Sequence, residues 1–433
     1  MKFKDYDYRQ FFTYTFYKNN AFINNLLAVL SGTAIAQAIP LLFYPLIARY
    51  YTPFDFGIYG IYLVFISIIS PVTSLRYDIA ILIPADNKDG LNLLALSIIL
   101  SFLICIIFYM FLIFSRNIIL DFFGMESLRS WIFLLPIHIL FVSSNFILFA
   151  WATREQWFKL IGLLKIIQAT VSTLLNIYFG YYNYGFIGLI LSVFLGQLCI
   201  FLILCGEFYF NERMHLSSIS ARQMVGQAKK YIKFPKINTV HSIFNSISLN
   251  FPVIILNMYF NSSYVGYYTF CNKVILTPLQ LFSSSLSQVF NQRIAKIHNS
   301  KKIIFPFLSK ILKYLVFVGI VPTILFILFS SNIFKLFFGS EWEISGIFAQ
   351  LLSPWYILLL LTAPFSFIPQ LKNKQKKAFL IEVFYVIVRI CSLMIGVFFN
   401  NVNLAIALFG IAGFCVLVYN LFWYIKLSRI EVV

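Results

Sequence analysis

Leu91 to Ser115 reads LNLLALSIILSFLICIIFYMFLIFS, a run without a single Asp, Glu, Lys, Arg or His. About 20 mostly apolar residues suffice to cross the hydrocarbon core of a bilayer as a helix. Backbone polar groups at that depth find no water, so a segment of this kind must satisfy them internally, which an α-helix does. Comparable stretches lie near 22–48, 57–84, 131–151, 160–180 and 186–206, and six more near 233–260, 266–290, 303–330, 346–370, 377–399 and 402–425. The pattern predicts an all-α integral membrane protein of about twelve transmembrane helices, the first an uncleaved span.

The whole chain agrees with that local reading. Of 433 residues, 61% are hydrophobic and 11% charged, with mean hydropathy +0.86, whereas soluble domains are about 25% charged. A net charge of +18 in a soluble chain would raise the question of nucleic acid; here its distribution explains it, and no nucleic-acid partner is implied. Lys2, Lys4, Arg9 and Lys18 precede the first span, and Lys88, Arg154, Lys159, Arg213, Arg222, Lys229 and Lys230 follow on the same side. Arg293, Lys296, Lys301, Lys302, Lys372, Lys374, Lys376, Lys377, Lys426 and Arg429 continue the series, against Arg49, Arg116, Arg129 and Lys335 on the other side. The positive-inside rule therefore places both termini in the cytoplasm. The longest polar stretch, 207–232, divides the chain into an N-lobe (1–206) and a C-lobe (233–433) of six spans each.

The halves carry traces of duplication. Asn117-Ile118-x-x-x-Phe122-Phe123-Gly124-x-Glu126 recurs without gaps as Asn332-Ile333-x-x-x-Phe337-Phe338-Gly339-x-Glu341, displaced by 215 residues. A weaker match pairs Tyr50-Tyr51, Gly57 and Tyr59 with Tyr259-Phe260, Gly266 and Tyr268, displaced by 209. An even number of spans per half makes the repeats parallel, related by an axis along the membrane normal, with a substrate path between the lobes.

The six cysteines all sit in apolar segments, without a CxxC pair or a partnering His cluster, and read as reduced packing residues. No metal or cofactor is implied. The chain holds no G-x-x-x-x-G-K-[ST] loop, so ATP hydrolysis within it is not expected. The four histidines lie far apart; His138 and His241, inside spans, read as hydrogen-bonded packing residues.

Several motifs in order resemble one family. They are Ser31-Gly32-Thr33-Ala34-Ile35-Ala36-Gln37, the stretch Arg49-Tyr50-Tyr51-Thr52-Pro53-Phe54-Asp55-Phe56-Gly57-Ile58-Tyr59, and Leu75-Arg76-Tyr77-Asp78-Ile79-Ala80. Lys233-Phe234-Pro235, Val265-Gly266-Tyr267-Tyr268 and Phe338-Gly339-Ser340-Glu341-Trp342 follow in the second half. Together they are similar to the polysaccharide repeat-unit flippases of the O-antigen (Wzx) type, within the multidrug/oligosaccharidyl-lipid/polysaccharide (MOP) exporter superfamily. Asp78 stands where that pattern leads one to expect Glu. The resemblance implies a MATE-like bundle of two lobes in the bacterial inner membrane, moving an undecaprenyl-pyrophosphate-linked oligosaccharide by alternating access with no bond broken. Membrane lipids and other polysaccharide assembly proteins would be its partners.

A pyrophosphate head cannot enter hydrocarbon unaided, since one unpaired ion there costs several kcal/mol or more. Basic residues inside spans are therefore the candidates for a cationic, substrate-binding cavity: Arg76, Lys273 and Arg389, with Lys165 and Arg49 nearer the interfaces. Arg389 lies about 18 Å from the start of its helix at 1.5 Å per residue, near the midplane. Asp78 and Glu382 are the intramembrane carboxylates, and Glu382 shares a helix face with Arg389 two turns away. Either carboxylate neutralises a cation or couples transport to a proton or sodium ion. Gln37, Asn145, Asn245 and Asn250 are candidates for sugar contacts or for hydrogen bonds between helices. Prolines at 40, 45, 71, 252, 278, 354, 364 and 369 interrupt the spans. Two other readings stay open: a cation-coupled drug exporter of the same superfamily, disfavoured by basic rather than acidic intramembrane charge, and a membrane-embedded polysaccharide-modifying enzyme, which would need a catalytic constellation.

Overall fold

A computed structural model describes residues 20–300 and 302–430. The basic segment bearing Lys2, Lys4, Arg9 and Lys18 lies outside the described residues, as does Lys301. Among the described residues, twelve long helical courses traverse the molecule and no strand occurs. They are α1 (Asn20–Tyr50), α2 (Pro53–Thr73), α3 (Asn87–Phe123), α4 (Leu134–Arg154), α5 (Phe158–Tyr181) and α6 (Phe186–Glu212). The second six are α7 (Val240–Tyr259), α8 (Ser262–Cys271, a π turn Asn272–Leu276, and Thr277–Asn299), α9 (Phe305–Phe338), α10 (Glu343–Thr362), α11 (Gln375–Phe398) and α12 (Val402–Ser428). Successive courses run in opposite directions. One end of the bundle therefore carries the start of α1, the end of α12 and the α6–α7 linker (the linker face); the other carries the α1–α2 and α7–α8 turns (the opposite face).

Eleven helices among the described residues are long and apolar enough to span a membrane. The exception is α8. Its second part, TPLQLFSSSLSQVFNQRIAKIHN, is dominated by Ser, Gln and Asn, and side chains of that kind are tolerated at membrane depth where protein or a polar cavity surrounds them. The twelfth span expected at 266–290 is thus a polar helix, packed on α10 and the Ala363–Phe365 turn.

Several boundaries differ from the hydropathy reading. The span expected at 57–84 breaks after Thr73: Leu75 and Arg76 adopt left-handed φ of 48° and 60°, and a short helix, Tyr77–Ala80, follows. Ser74 Oγ donates to Asp78 Oδ1 at 2.7 Å inside this break, a local side-chain bond of the type that competes with continued helix. Helices α3 and α9, at 37 and 34 residues, outrun the roughly 20 residues a bilayer needs. Helix α6 continues to Glu212 rather than ending at 206.

The linker is docked rather than free. Buried Asn92, near the start of α3, donates to Ser218 O (3.2 Å) and Gln223 Oε1 (2.8 Å) and accepts from Ser220 N (3.0 Å). Tyr77 OH donates to Ala228 O at 2.9 Å. One amide thus ties the turn before the linker helix Ala221–Lys230 to the first six helices.

Packing repeats between the halves: α3 lies on α4, α5 on α6 and α4 on α6, as α9 lies on α10, α11 on α12 and α10 on α12. The symmetry breaks at the first helix of each set. Along its length α1 follows α5, with Gly32 against the Gly162 backbone and Tyr51 OH donating to Asn176 O at 2.8 Å. In contrast, α7 leans mainly on α2 of the other set.

Candidate functional site

The sets meet where α2 crosses α8, and the crossing is reciprocal. A Cβ on Gly57 would fall 1.8 Å from Ser262 O, and one on Gly266 would fall 1.7 Å from Pro53 O. Pro53 and Ser262 are the first residues of the two helices, and all four positions obey the 209-residue displacement of the weaker repeat. The axis relating the halves therefore passes through this contact, beside Gly60 and Thr269. Thr52 and Asp55 form a capping box before the crossing on α2 (3.2 and 2.9 Å), while Asn261 Oδ1 caps α8 by accepting from Tyr264 N at 3.1 Å. Phe56 meets Phe270 and Trp342 edge to face beside it, and Trp342 Nε1 donates to Ala48 O at 2.9 Å. The stronger repeat also appears in the fold: Gly124 and Gly339, with φ of +59° and +106°, end α3 and α9 at this same face, conformations that glycine adopts without a Cβ penalty.

About 16 Å along α8 from its start, the π turn Asn272–Leu276 inserts an extra residue per turn. Asn272 faces the second set, where its Oδ1 accepts from Tyr356 OH at 2.9 Å. Lys273 points across the seam: its Nζ lies 3.4 Å from Tyr59 OH and 4.9 Å above the Tyr59 ring. No carboxylate pairs with Lys273 among the described residues.

On the Asn272 side, α11 presents Arg389. Its guanidinium carbon lies 3.9 Å from the Phe409 ring centroid, 4.7 Å from Trp355 and 4.9 Å from Tyr385. Trp355 Nε1 donates to Tyr385 OH at 2.8 Å, fixing two walls of this cage. Arg389 Nε is buried without a hydrogen-bond partner. A cation–π contact contributes roughly 0.5–2 kcal/mol, whereas withdrawing an ion from water costs several kcal/mol. The cage holds the guanidinium in place but does not neutralise it. Lys273 on the seam and Arg389 in the second set are thus two cations without a carboxylate partner among the described residues.

The other expected site residues lie elsewhere. Arg76 occupies the break after α2, 3.9 Å from Asp78 Oδ2, and its Nε is buried without a partner. Asp78, 8% exposed, is held by Ser74 and Arg76. Lys165 Nζ donates to Thr33 Oγ1 at 3.0 Å, between α5 and α1. Arg49 is exposed at the end of α1 on the opposite face. Glu382 is exposed near Tyr424 rather than facing the caged Arg389; seven residues of helix, about 10 Å, keep the two apart.

Asn145 joins α4 to α6 through Gln197 (2.8 Å), and Asn250 joins α7 to Ser67 of α2 (2.8 Å), so both act between helices. Gln37 is half-buried and Asn245 exposed. His138 packs as expected, its Nδ1 3.1 Å from Tyr62 OH, but His241 is exposed in the first turn of α7 rather than packed. Sequence reading missed Tyr59, Asn272, Trp355, Tyr356, Tyr385 and Phe409. Apart from Asn272, their signal is aromatic residues at helical spacing, which 51 Phe and 26 Tyr conceal.

The geometry defines an all-α, multi-span membrane fold built from two sets of six helices. The family model described as polysaccharide biosynthesis protein matches residues 46–346, and the chain belongs to that family. Among solved structures it is similar to the lipid II flippase MurJ in an inward closed conformation, at TM-score 0.69 and 15% identity, covering 94% of this chain and 90% of that one. It is also similar to a multidrug resistance MATE family transporter of the MOP superfamily in an inward-facing conformation, at TM-score 0.64, 12% identity, and 93% and 94% coverage. A third is a MOP superfamily transporter from Pyrococcus furiosus described as having a binding pocket of reversed polarity, at TM-score 0.64, 13% identity, and 93% and 95% coverage. No curated protein matches the chain significantly.

Proposed function

We propose that this chain is a flippase that carries an undecaprenyl-pyrophosphate-linked oligosaccharide across the bacterial inner membrane, for O-antigen or another surface polysaccharide. The observation that supports it is the pair of uncompensated cations, Arg389 in its aromatic cage and Lys273 on the seam. An anionic diphosphate supplies the charge they lack, and the surrounding rings suit the apolar faces of sugars. Membership of the polysaccharide biosynthesis family favours a glycan cargo over a drug.

In this reading the α2–α8 crossing is the closed gate of one state, and the cargo enters from the linker face, which is cytoplasmic by the charge bias. Arg76 and Lys165, nearer that face, meet the diphosphate first; Lys273 and Arg389 hold it at mid-depth; Arg49 meets it on release. Opening the crossing while the linker-face ends of the lobes close completes alternating access. No bond is broken, so the chain is a transporter rather than an enzyme. Drive comes from a proton or sodium gradient, or from removal of product by other assembly proteins. Asp78 is the better coupling candidate, because its Arg76 ion pair is long at 3.9 Å and protonation would release it; exposed Glu382 is the lesser.

The test is replacement of Arg389 and Lys273 singly by Ala, scoring surface polysaccharide in cells whose membrane level of the protein is matched. Loss of polymer in both variants supports the reading; wild-type polymer in both sinks it.

A further inference from the structure

Outside the lobe interface, α11 and α12 leave a groove of about 590 Å³, within the range of small-molecule sites. Its walls are apolar, formed by Leu380, Phe384 and Val388 of α11 and Ala412, Val416 and Tyr419 of α12. Leu380 and Phe384 are 65% and 59% exposed. From Lys377 to Val388 the groove runs eleven residues, about 16 Å along the helix. That is close to half of a hydrocarbon core about 30 Å thick, the depth of one leaflet.

The mouth of the groove is cationic. Lys377 lines it, with its Nζ 5.7 Å over the Tyr419 ring and 5.2 Å over Trp423. Lys and aromatic side chains so placed mark the membrane–water interface. Exposed Lys374 and Lys376 lie beside it, and the first turn of α11 contains no acidic residue. Glu382, the one carboxylate of α11, sits off the groove near Tyr424. Lys372 bonds Ile430 O at 2.8 Å and belongs to the end of α12.

An apolar slot one leaflet deep, opening on Lys377 with exposed Lys374 and Lys376 in the turn just before it, is complementary to a lipid whose chain is apolar and whose head is an anion. Basic pockets between helices at a bilayer surface recognise anionic headgroups on that principle. A second copy of the chain fits poorly, because two basic mouths would face each other. We infer that the α11–α12 groove is a binding site for an anionic phospholipid of the leaflet at the linker face, with one acyl chain between the helices and the phosphate at Lys374, Lys376 and Lys377.

The test is native mass spectrometry of the delipidated full chain, titrated with phosphatidylglycerol or phosphatidylethanolamine. Wild type should retain phosphatidylglycerol at least ten-fold better. The variant Lys374→Gln/Lys376→Gln/Lys377→Gln should lose that preference, at about five-fold per lysine, and Ala412→Phe, which fills the slot, should weaken both lipids. Should Ala412→Phe fail to fold, the lysine variant decides alone. Equal retention of the two lipids by wild type, or undiminished preference in the lysine variant, would overturn the assignment. So would a change of oligomeric mass in Ala412→Phe, or displacement of phosphatidylglycerol by undecaprenyl phosphate at lower concentration, which would give the groove to a second copy or to the cargo's tail. None of these outcomes depends on whether the chain flips a glycolipid.

Discussion

Substituting Gly266 by Ala should force the α2–α8 crossing apart. The new Cβ would sit 1.7 Å from Pro53 O, a backbone atom that cannot rotate away, and contacts below 3.0 Å are essentially never seen. The helices must therefore separate by more than an ångström at this point. Overpacking of this kind costs about 1–3 kcal/mol. Charged only to the state in which the crossing is closed, it shifts the balance between closed and open by roughly five- to 150-fold. Spin labels on exposed Phe54 and Tyr259, beside the crossing, would report the change as a longer distance component in electron double resonance. Gly57→Ala should act alike, through Ser262 O at 1.8 Å. The double variant should cost less than the sum, because the first Cβ already creates room for the second. Gly206→Ala on α6, where nothing lies within 4 Å, is the control and should leave the distances alone. An unchanged distance distribution in Gly266→Ala, or strict additivity in the double variant, would refute the reciprocal crossing.

Further consequences follow from the charged and docked groups. Replacing Arg389 by Met should abolish transport while leaving the melting temperature close to wild type, since the half-buried guanidinium has no ion pair among the described residues to lose; a clearly lowered melting temperature would mean that the guanidinium has a structural partner. Lys273→Met should impair transport at least ten-fold, whereas Tyr59→Phe, which keeps the ring face under the ammonium, should change it less than three-fold in the same assay. Asn92→Ala removes three hydrogen bonds to the linker and should expose residues 213–233 to limited proteolysis; an unchanged cleavage pattern would show that other contacts suffice. Thr52→Val deletes the side-chain cap of α2 and should cost about 1 kcal/mol in denaturant melts.

The apolar pattern marked twelve stretches, and eleven of the described helices, α3 among them, are apolar enough to span. The twelfth, at 266–290, is α8, whose second part is rich in Ser, Gln and Asn, a composition tolerated at membrane depth beside protein or a polar cavity. The repeat was legible where backbone geometry demands glycine, at Gly57, Gly266, Gly124 and Gly339, since close approach or positive φ admits little else. Arg389 and Lys273 were legible as charges inside apolar runs. Their partners were not, because two walls of the aromatic cage, Trp355 and Phe409, lie 34 positions before and 20 positions after Arg389 in a chain rich in aromatics. The π turn that aims Asn272 and Lys273 to opposite sides of α8 has no composition signature, while the break at Leu75 and Arg76 follows the weak helix formers Ser70-Pro71-Val72-Thr73-Ser74, a signal hidden inside a longer apolar run.

The most direct measurement is leaflet exposure of the glycan in liposomes that contain the purified chain and an undecaprenyl-pyrophosphate oligosaccharide, read with an impermeant sugar-cleaving enzyme under imposed proton or sodium gradients. Protein-dependent transfer between leaflets, lost in Arg389→Ala at equal incorporation, is the predicted result. A glycolipid that stays on its original leaflet under both gradients, while an organic cation is transported, would contradict the account and identify a drug exporter.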